Sequence, residues 1–249
     1  MNYNQYYDEC RAAWEEEGNK SSTEYNDYLT NVVVTNLEGD AINDMIDAYN
    51  ENIPNMKSLT PEYSVIEVEG HPELEEISER VCSDISSVLE NHMGCHMRLM
   101  QIKLKRHKNV ERVTLPAFRW HSDLHEDPLL NVMVYISKVD EGSGPFQYLL
   151  NGNDRGIVID NITHDFPDDY IEHIIETFGL KVTSLLGEPG TMCIFNNNIV
   201  HRGSIPTEQD RDVLLFQFRP VKKKPEKHLD WDYLNSSWDE LMQWDKWDG

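Results

Sequence analysis

The chain has 249 residues, which is enough to bury one full hydrophobic core as a single domain. Its formal net charge of -23 creates a field that repels phosphate backbones, so we expect no nucleic-acid partner. No apolar run approaches the length needed to span a bilayer, so we also expect no membrane partner. The four cysteines show no paired spacing and the first residues show no signal-peptide pattern, which predicts free thiols and a cytoplasmic location.

The N-terminal part of the chain, residues 1–96, is predicted to support the core with helices and short strands. A short helix is expected within 1–30, a short strand ends at Thr35, a helix spans 39–50 and a strand spans 63–68. Apolar residues then recur at helical spacing: Leu74, Ile77, Val81, Ile85, Val88 and Leu89. Pro72 precedes them, where a helix tolerates its missing N–H, so we expect an amphipathic helix that braces one outer sheet face.

Residues 97–220 are predicted to form the core of a fold that is mainly β with flanking α, a double-stranded β-helix (jelly roll, cupin-like). Strands are expected at 97–104, 117–123, 129–137, 146–150, 191–195, 199–204 and 211–218. The insertion at 151–180 contains a predicted helix at 168–177 and is too long for a simple hairpin connection. We expect it to border the substrate mouth as a cover, together with the 124–128 loop. The tail, 221–249, is expected to place a helix containing Leu234, Trp238 and Leu241 on the outside.

Three residues of the types that hold a non-haem iron follow one another in the core, and an arginine follows the third. His121 and Asp123 stand two positions apart, so on a strand both point to the same side. His201 must come from a distant strand, which a jelly roll supplies. Two histidines and one carboxylate on one face of Fe(II) leave the other face open for a co-substrate and O2. Arg211 follows ten positions after His201, and its planar fork matches a carboxylate.

On these residues the chain resembles the Fe(II)- and 2-oxoglutarate-dependent oxygenases, and most of all their phytanoyl-CoA dioxygenase-like branch. The resemblance covers roughly residues 97–220 and includes the turn SGPFQ at 143–147 and the strand GEPGTMCIF at 187–195. A lone His-x-Asp occurs by chance in many proteins, whereas the combination with His201, Arg211 and this strand context is specific. One departure is that the stretch after Gln147 lacks the Pro-Gly-Ser-His common in the branch, so the substrate side is not specified.

The resemblance implies one catalytic domain over residues 1–249 that hydroxylates a small-molecule substrate and releases succinate and CO2. His121, Asp123 and His201 are then both the metal ligands and the catalytic residues, and the cofactors are Fe(II), 2-oxoglutarate and O2. Binding of 2-oxoglutarate is expected from Arg211, Asn131 and Thr191. Substrate contacts are expected from Arg119, Tyr135 and Gln147.

Several of these residues have a second interpretation that the sequence leaves open. Arg211 could form a surface salt bridge to Asp210 or Asp212. Asn131 could be an ordinary polar residue of a strand, and Arg119 could belong to a structural ion pair. Likewise, the whole protein could be a cupin-like metal enzyme that uses no oxo acid, or a jelly-roll binding module without activity. Arg211 argues against the first of these, and the intact triad argues against the second.

The sequence indicates the type of reaction more closely than it indicates the substrate. Halogenases that resemble this family lack the metal-binding carboxylate so that chloride can bind iron, and Asp123 is present here. The acidic surface argues against coenzyme A, whose phosphates require lysines and arginines. A small molecule that is zwitterionic or amino-acid-like is the preferred hypothesis. No feature of the sequence specifies an oligomeric state.

Overall fold

Antiparallel strands make up most of the structure, a computed structural model that describes residues 3–20, 30–111, 116–123, 129–159 and 165–235. The helices are α1 (Tyr3–Glu16), α2 (Asp40–Asn52), α3 (Pro72–Met93), α4 (Asp168–Phe178) and α5 (Trp231–Leu234). The strands are β1 (Val32–Asn36), β2 (Lys57–Thr60), β3 (Tyr63–Ile66), β4 (His96–His107), β5 (Leu130–Tyr135), β6 (Phe146–Leu150), β7 (Lys181–Leu185), β8 (Thr191–Asn196), β9 (His201–Gly203) and β10 (Arg211–Val221).

The strands form two sheets that face each other. The major sheet has seven strands in the order β1-β8-β5-β10-β4-β3-β2, and the minor sheet has three in the order β7-β6-β9. Distant parts of the chain thus become neighbours, as when β10 pairs with both β4 and β5. The predicted fold class, a mainly β jelly roll with flanking helices, is confirmed.

The outer face of the major sheet is covered by helices, as the amphipathic pattern predicted. Helix α3 begins with Pro72 and ends at Gly94, whose φ of 66° lies in the left-handed region that favours glycine. Its buried face includes Leu74, Ile85 and Leu89, which belong to one apolar cluster with the residues of β4 and β10 that face the helix. Each such side chain contributes about 1.5–3 kcal/mol through burial, so α3 anchors the sheet that carries the site.

A second apolar cluster lies between the two sheets and forms the floor of the site. Its members come from both sheets: Met133, Tyr135, Val139, Phe146, Tyr148, Leu150, Leu185, Cys193, Phe195, Ile199 and Val213. Phe146 and Phe195 pack with ring centroids 4.6 Å apart, and both rings lie within 5.5 Å of the His201 ring centroid. Aromatic side chains from both sheets therefore hold His201 in place.

One predicted element needs correction, two strands were not predicted, and one predicted helix is described only in part. The segment predicted as a strand at 117–123 is a 3-10 turn, Pro116–Phe118, followed by an isolated β-bridge at His121. His121 forms one bridge to His201 and another to Asp165, and neither bridge extends into a ladder. Strands β2 and β7 were not predicted because most of their residues are polar and exposed. Helix α5 ends at Leu234, while Trp238 and Leu241 lie outside the described residues.

That the insertion at 151–180 covers the substrate mouth stays a prediction, and the part of it that the structure describes packs beside the ligand segments. Helix α4 occurs where predicted, but Ile171 and Ile174 pack against Trp120 and Val200, which flank the ligand histidines in sequence. Phe166 N also donates to Trp120 O at 2.8 Å. This part of the insertion therefore supports the ligand segments from outside, and residues 124–128 and 160–164 lie outside the described residues.

Across the described ranges, no helix is both long enough and apolar enough to cross a membrane.

Candidate metal centre and adjoining cavity

The two candidate ligand histidines are held side by side by their own backbones. His121 N donates to His201 O and His201 N donates to His121 O, both at 2.9 Å. Asp123 N donates to Asn197 O at 3.1 Å, which extends the same contact by two residues. Ser122 points the other way and donates its hydroxyl to Asn198 O. His121 and Asp123 therefore share one side, as the spacing predicted, although they lie on a bridge and not on a strand.

Backbone carbonyls also fix the orientation of both imidazole rings. His121 Nδ1 lies 2.7 Å from Arg119 O, and His201 Nδ1 lies 2.8 Å from Ile199 O. A carbonyl oxygen only accepts hydrogen bonds, so each Nδ1 must carry the proton and donate it. In the neutral ring, Nε2 then keeps its lone pair for a metal, which is the usual arrangement of a metal-binding histidine.

The three side chains converge closely enough to share one ion. One ligand atom from each of His121, Asp123 and His201 lies within 4.8 Å of the others. His121 Nε2 is 3.8 Å from Asp123 Oδ1, and the two imidazole centroids are 4.3 Å apart. Burial, followed by the neighbouring His121, lowers the pKa of His201 to about 4. His201 is therefore neutral near pH 7 and ready to bind a cation.

Arg211 lies in the wall of the same cavity, and the alternative of a surface salt bridge is wrong. Its side chain is only 3% exposed, whereas Asp212 pairs with Arg106 Nε at 2.7 Å and accepts from the Tyr49 hydroxyl. Arg211 Nη1 donates to Gly144 O, and no partner for Nε is present in the described part of the chain. A buried guanidinium remains charged, so this N–H is a donor available to an anion in the cavity.

Gly203 explains how Arg211 comes so close to the histidines. A Cβ atom at Gly203 would lie 2.5 Å from Arg211 Nη2, so only glycine leaves room for the guanidinium. Gly203 stands two residues after His201 on β9, which corresponds to roughly 7 Å along a strand. The guanidinium therefore lies against β9 two residues beyond the ligand His201.

Strand β4 contributes four further cavity residues, which the sequence analysis did not identify. Gln101, Lys103, Lys105 and His107 alternate along the strand and all line the cavity, which has a volume of about 230 Å³. Burial, together with the positive charges of Lys103 and Arg211, lowers the pKa of Lys105 to about 7. Burial and the charge of Arg211 also hold the pKa of His107 well below its usual value. In sequence, their polar–apolar alternation is typical of a strand with one face in solvent, and nothing in it marks that face as a cavity.

Of the other predicted site residues, Asn131 lines the cavity and the rest do not. Asn131 is 3% exposed, and its Oδ1 has no hydrogen-bond partner among the described residues. Thr191 is buried at the start of β8, next to Gly187. The Tyr135 hydroxyl is used inside the core, where it donates to Leu185 O and accepts from Phe146 N.

Gln147 and Arg119 also face away from the cavity. Gln147 Oε1 accepts from Arg202 Nε at 2.8 Å, because the alternation of β6 turns Gln147 away from Phe146. Arg202 in turn lies over the Trp120 ring, at 4.4 Å from its centroid. Arg119 is exposed beside Asp165, in a separate surface pocket, because the 3-10 turn interrupts the alternation that would align it with His121.

No protein-family model matches the sequence, and no curated protein matches it significantly. Solved structures do match. The non-haem α-ketoglutarate-dependent epimerase SnoN from nogalamycin biosynthesis is 12% identical, with 88% of this chain and 85% of SnoN covered and a TM-score of 0.52. Apo EctD from S. alaskensis is 13% identical, with coverages of 80% and 76% and a TM-score of 0.54. The chain shares their fold.

A third similar structure is AviO1 from Streptomyces viridochromogenes, which is 12% identical, with coverages of 88% and 97% and a TM-score of 0.51. SnoN has been solved with Fe3+, α-ketoglutarate and nogalamycin RO, and EctD with 2-oxoglutarate and 5-hydroxyectoine. At these identities the likeness concerns the fold, so any activity of this chain must be argued from its own site residues.

Proposed function

We propose that the chain is an Fe(II)- and 2-oxoglutarate-dependent oxygenase of the phytanoyl-CoA dioxygenase-like branch, which hydroxylates a small-molecule substrate and releases succinate and CO2. One observation carries the proposal. A three-ligand metal face and a buried arginine with an unpaired N–H line the same cavity, joined through Gly203 at a spacing of roughly 7 Å.

The ligand set fits Fe(II). Two imidazole nitrogens and one carboxylate on one face form the arrangement typical of non-haem iron oxygenases, in which the remaining positions stay open. His121 and Asp123 retain partial exposure to the cavity, whereas His201 is buried, so the open positions face the cavity. Asp123 occupies the carboxylate position, which favours hydroxylation over halogenation.

The cavity also fits a dianionic oxo acid. Arg211 supplies a charge-assisted donor for the distal carboxylate, and His107 stands opposite Arg211 in the β4–β10 register. Lys105 lines the same cavity as Arg211 and Asp123 and is thus available to a ligand that reaches from the arginine to the metal. Asn131, which lines the cavity with its Oδ1 unpaired among the described residues, is proposed to contact the chelating end. Thr191 lies outside this arrangement.

With Fe(II) and 2-oxoglutarate bound, the site supplies activated oxygen for insertion into a substrate C–H bond. The protein's own residues orient and shield this chemistry. Phe146 and Phe195 form an apolar side that excludes water from the ligand histidines. The carbonyls of Arg119 and Ile199 hold the imidazole rings with Nε2 facing the cavity, so the metal face is preorganised.

Anaerobic titration with Fe(II) and then 2-oxoglutarate tests the proposal. We expect the weak visible charge-transfer band of the chelate, followed by slow succinate release on admission of O2. Arg211→Gln should raise the 2-oxoglutarate dissociation constant roughly 30- to 150-fold, because the lost contact is worth about 2–3 kcal/mol. The matched control is Arg80→Gln, which removes an exposed arginine paired with Asp44 and should change nothing.

The outcomes separate the proposal from its alternatives. Tight metal binding with no response to 2-oxoglutarate would indicate a cupin-like metal enzyme that uses no oxo acid. Failure to bind Fe(II) or any other divalent ion would indicate a jelly-roll binding protein. An unchanged co-substrate affinity in Arg211→Gln would remove the assignment of the arginine.

A further inference from the structure

The wall formed by β4 has a charge opposite to that of the molecule as a whole. The chain has 45 acidic and 22 basic residues, yet the described residues that line the cavity include three permanent or potential cations, Lys103, Lys105 and Arg211, and a single carboxylate, Asp123. A divalent metal would add two positive charges and 2-oxoglutarate two negative ones. Positive charge therefore remains in excess after metal and co-substrate are in place.

The excess is located at Lys103. Lys103 lines the same cavity as the metal ligand Asp123 and stands four positions from His107, the residue that pairs with Arg211. In the β4–β10 register, Arg211 faces His107 while Lys103 faces Leu215. The four positions from His107 to Lys103 span roughly 13 Å along the strand. A short dicarboxylate that binds Arg211 therefore does not reach Lys103.

Lys103 also stands at the exposed end of this row of cavity residues. Strand β3 pairs with β4 only as far as Ile66 with Leu104, so Lys103 is the first of the row beyond that pairing. The residue is exposed, whereas Lys105 and His107 become progressively more buried along the strand. No ion pair or hydrogen bond to Lys103 Nζ occurs within the described ranges. The cation is thus accessible to a molecule that enters after the co-substrate.

Amide side chains occupy the next row of the wall. Gln101 of β4 faces Gln217 of β10, and Gln217 faces Asn131 of β5, so three amides stand in one line across three strands. All three line the cavity, and the row lies one alternation, roughly 7 Å, beyond Lys103. Gln101 and Gln217 offer donors and acceptors to a polar molecule, which an apolar substrate would leave unpaired at a cost.

From this arrangement we infer that the primary substrate is a small hydrophilic carboxylic acid, whose carboxylate binds Lys103 and whose polar groups bind Gln101 and Gln217. The inference rests on the proposed function and names the substrate class of the same site. The described part of the cavity, with a volume of about 230 Å³, suits a small acid beside the co-substrate. Lys103 is therefore a specificity-determining residue.

Calorimetric titration of the full chain loaded with Zn(II) and 2-oxoglutarate tests this without turnover. The probes are the free amino acids and small 2-hydroxy acids, each beside its own primary amide. We expect at least one acid to bind about tenfold or more tightly than its amide, since a charge-assisted hydrogen bond is lost in the amide. In Lys103→Met the affinity for the acid should fall by about the same factor, to that of the amide. Lys103→Arg should restore the preference for the acid over the amide.

Two controls isolate the effect. Lys138→Met removes an exposed lysine that pairs with Glu188 elsewhere on the surface and should leave every affinity unchanged. The dissociation constant of 2-oxoglutarate should not rise in Lys103→Met, and should rise in Lys105→Met. Equal binding of acids and amides, no binding acid in the set, or a full preference in Lys103→Met would overturn the inference. Loss of 2-oxoglutarate binding by the wild type itself would instead remove the proposed function, and the inference with it.

Discussion

A single methyl group added at Gly203 should weaken the binding of 2-oxoglutarate and leave the binding of the metal unchanged. Gly203 does not have a positive φ, so alanine fits its backbone conformation. The added Cβ would lie 2.5 Å from Arg211 Nη2, whereas ordinary contact begins at 3.4 Å, so the guanidinium must retreat by about 0.9 Å. Such a shift breaks a well-aligned charged hydrogen bond worth about 1.5–3 kcal/mol, which corresponds to a roughly ten- to hundredfold weaker affinity for 2-oxoglutarate.

Calorimetry of Gly203→Ala against 2-oxoglutarate, with Zn(II) in the metal site, measures this loss. Zn(II) affinity itself should stay unchanged, because the methyl group points at the arginine and His201 keeps its backbone contacts with His121. The control is Gly152→Ala, since Gly152 also has no positive φ and a Cβ there meets nothing within 4 Å. If Gly203→Ala binds 2-oxoglutarate as tightly as wild type, Arg211 does not hold the co-substrate in the conformation described here.

Three further results are expected. His121→Ala and Asp123→Ala should lose Fe(II), measured by metal analysis after dialysis, while their thermal unfolding stays within a few degrees of wild type, because both side chains line a cavity and fill no core. The free energy of unfolding of the metal-free protein, measured in urea, should fall by up to about 3 kcal/mol between about pH 6.5 and about pH 4, because His201 takes up a proton in the unfolded chain and not when buried. His201→Gln should reduce this dependence on pH. An equal dependence in the variant and wild type would contradict the assignment to His201. Backbone amides of α4 should show the same hydrogen-exchange protection with and without ligands, since Ile171 and Ile174 of the helix pack against Trp120. A large ligand-dependent gain would instead support the prediction that the insertion covers the substrate mouth.

The sequence predicted most of the fold because the signals were periodic. The apolar stripe from Leu74 to Leu89 specified α3, and the strongly β-prone run before Tyr135 specified β5. For the site, the prediction that His121 and Asp123 share a metal required only that their side chains point to the same side. Extended backbone at an isolated bridge meets this condition as well as a strand does. The ten-residue separation of His201 and Arg211 is likewise local, because one short connection joins β9 of the minor sheet to β10 of the major sheet.

The rest depended on which surface each polar residue faces, and a single sequence does not contain that information. Lys103 and Lys105 alternate with apolar residues as any solvent-facing strand does, yet their face is the cavity wall. The sequence predicts a substrate contact for Tyr135, but its hydroxyl already donates to Leu185 O and accepts from Phe146 N. Long-range pairing decided these placements, and it is invisible to local periodicity.

The opposed charges of the exterior and the cavity affect how fast an anion arrives as well as how tightly it is held. At low ionic strength the surface of this strongly acidic chain repels a dianion over about 30 Å, and at physiological salt that reach shrinks to about 8 Å. Inside the cavity the contacts of Arg211 and Lys105 are partly or wholly shielded from salt by burial. Added salt should therefore speed the encounter with 2-oxoglutarate and scarcely change its escape, the reverse of the usual behaviour of an enzyme with an attractive surface.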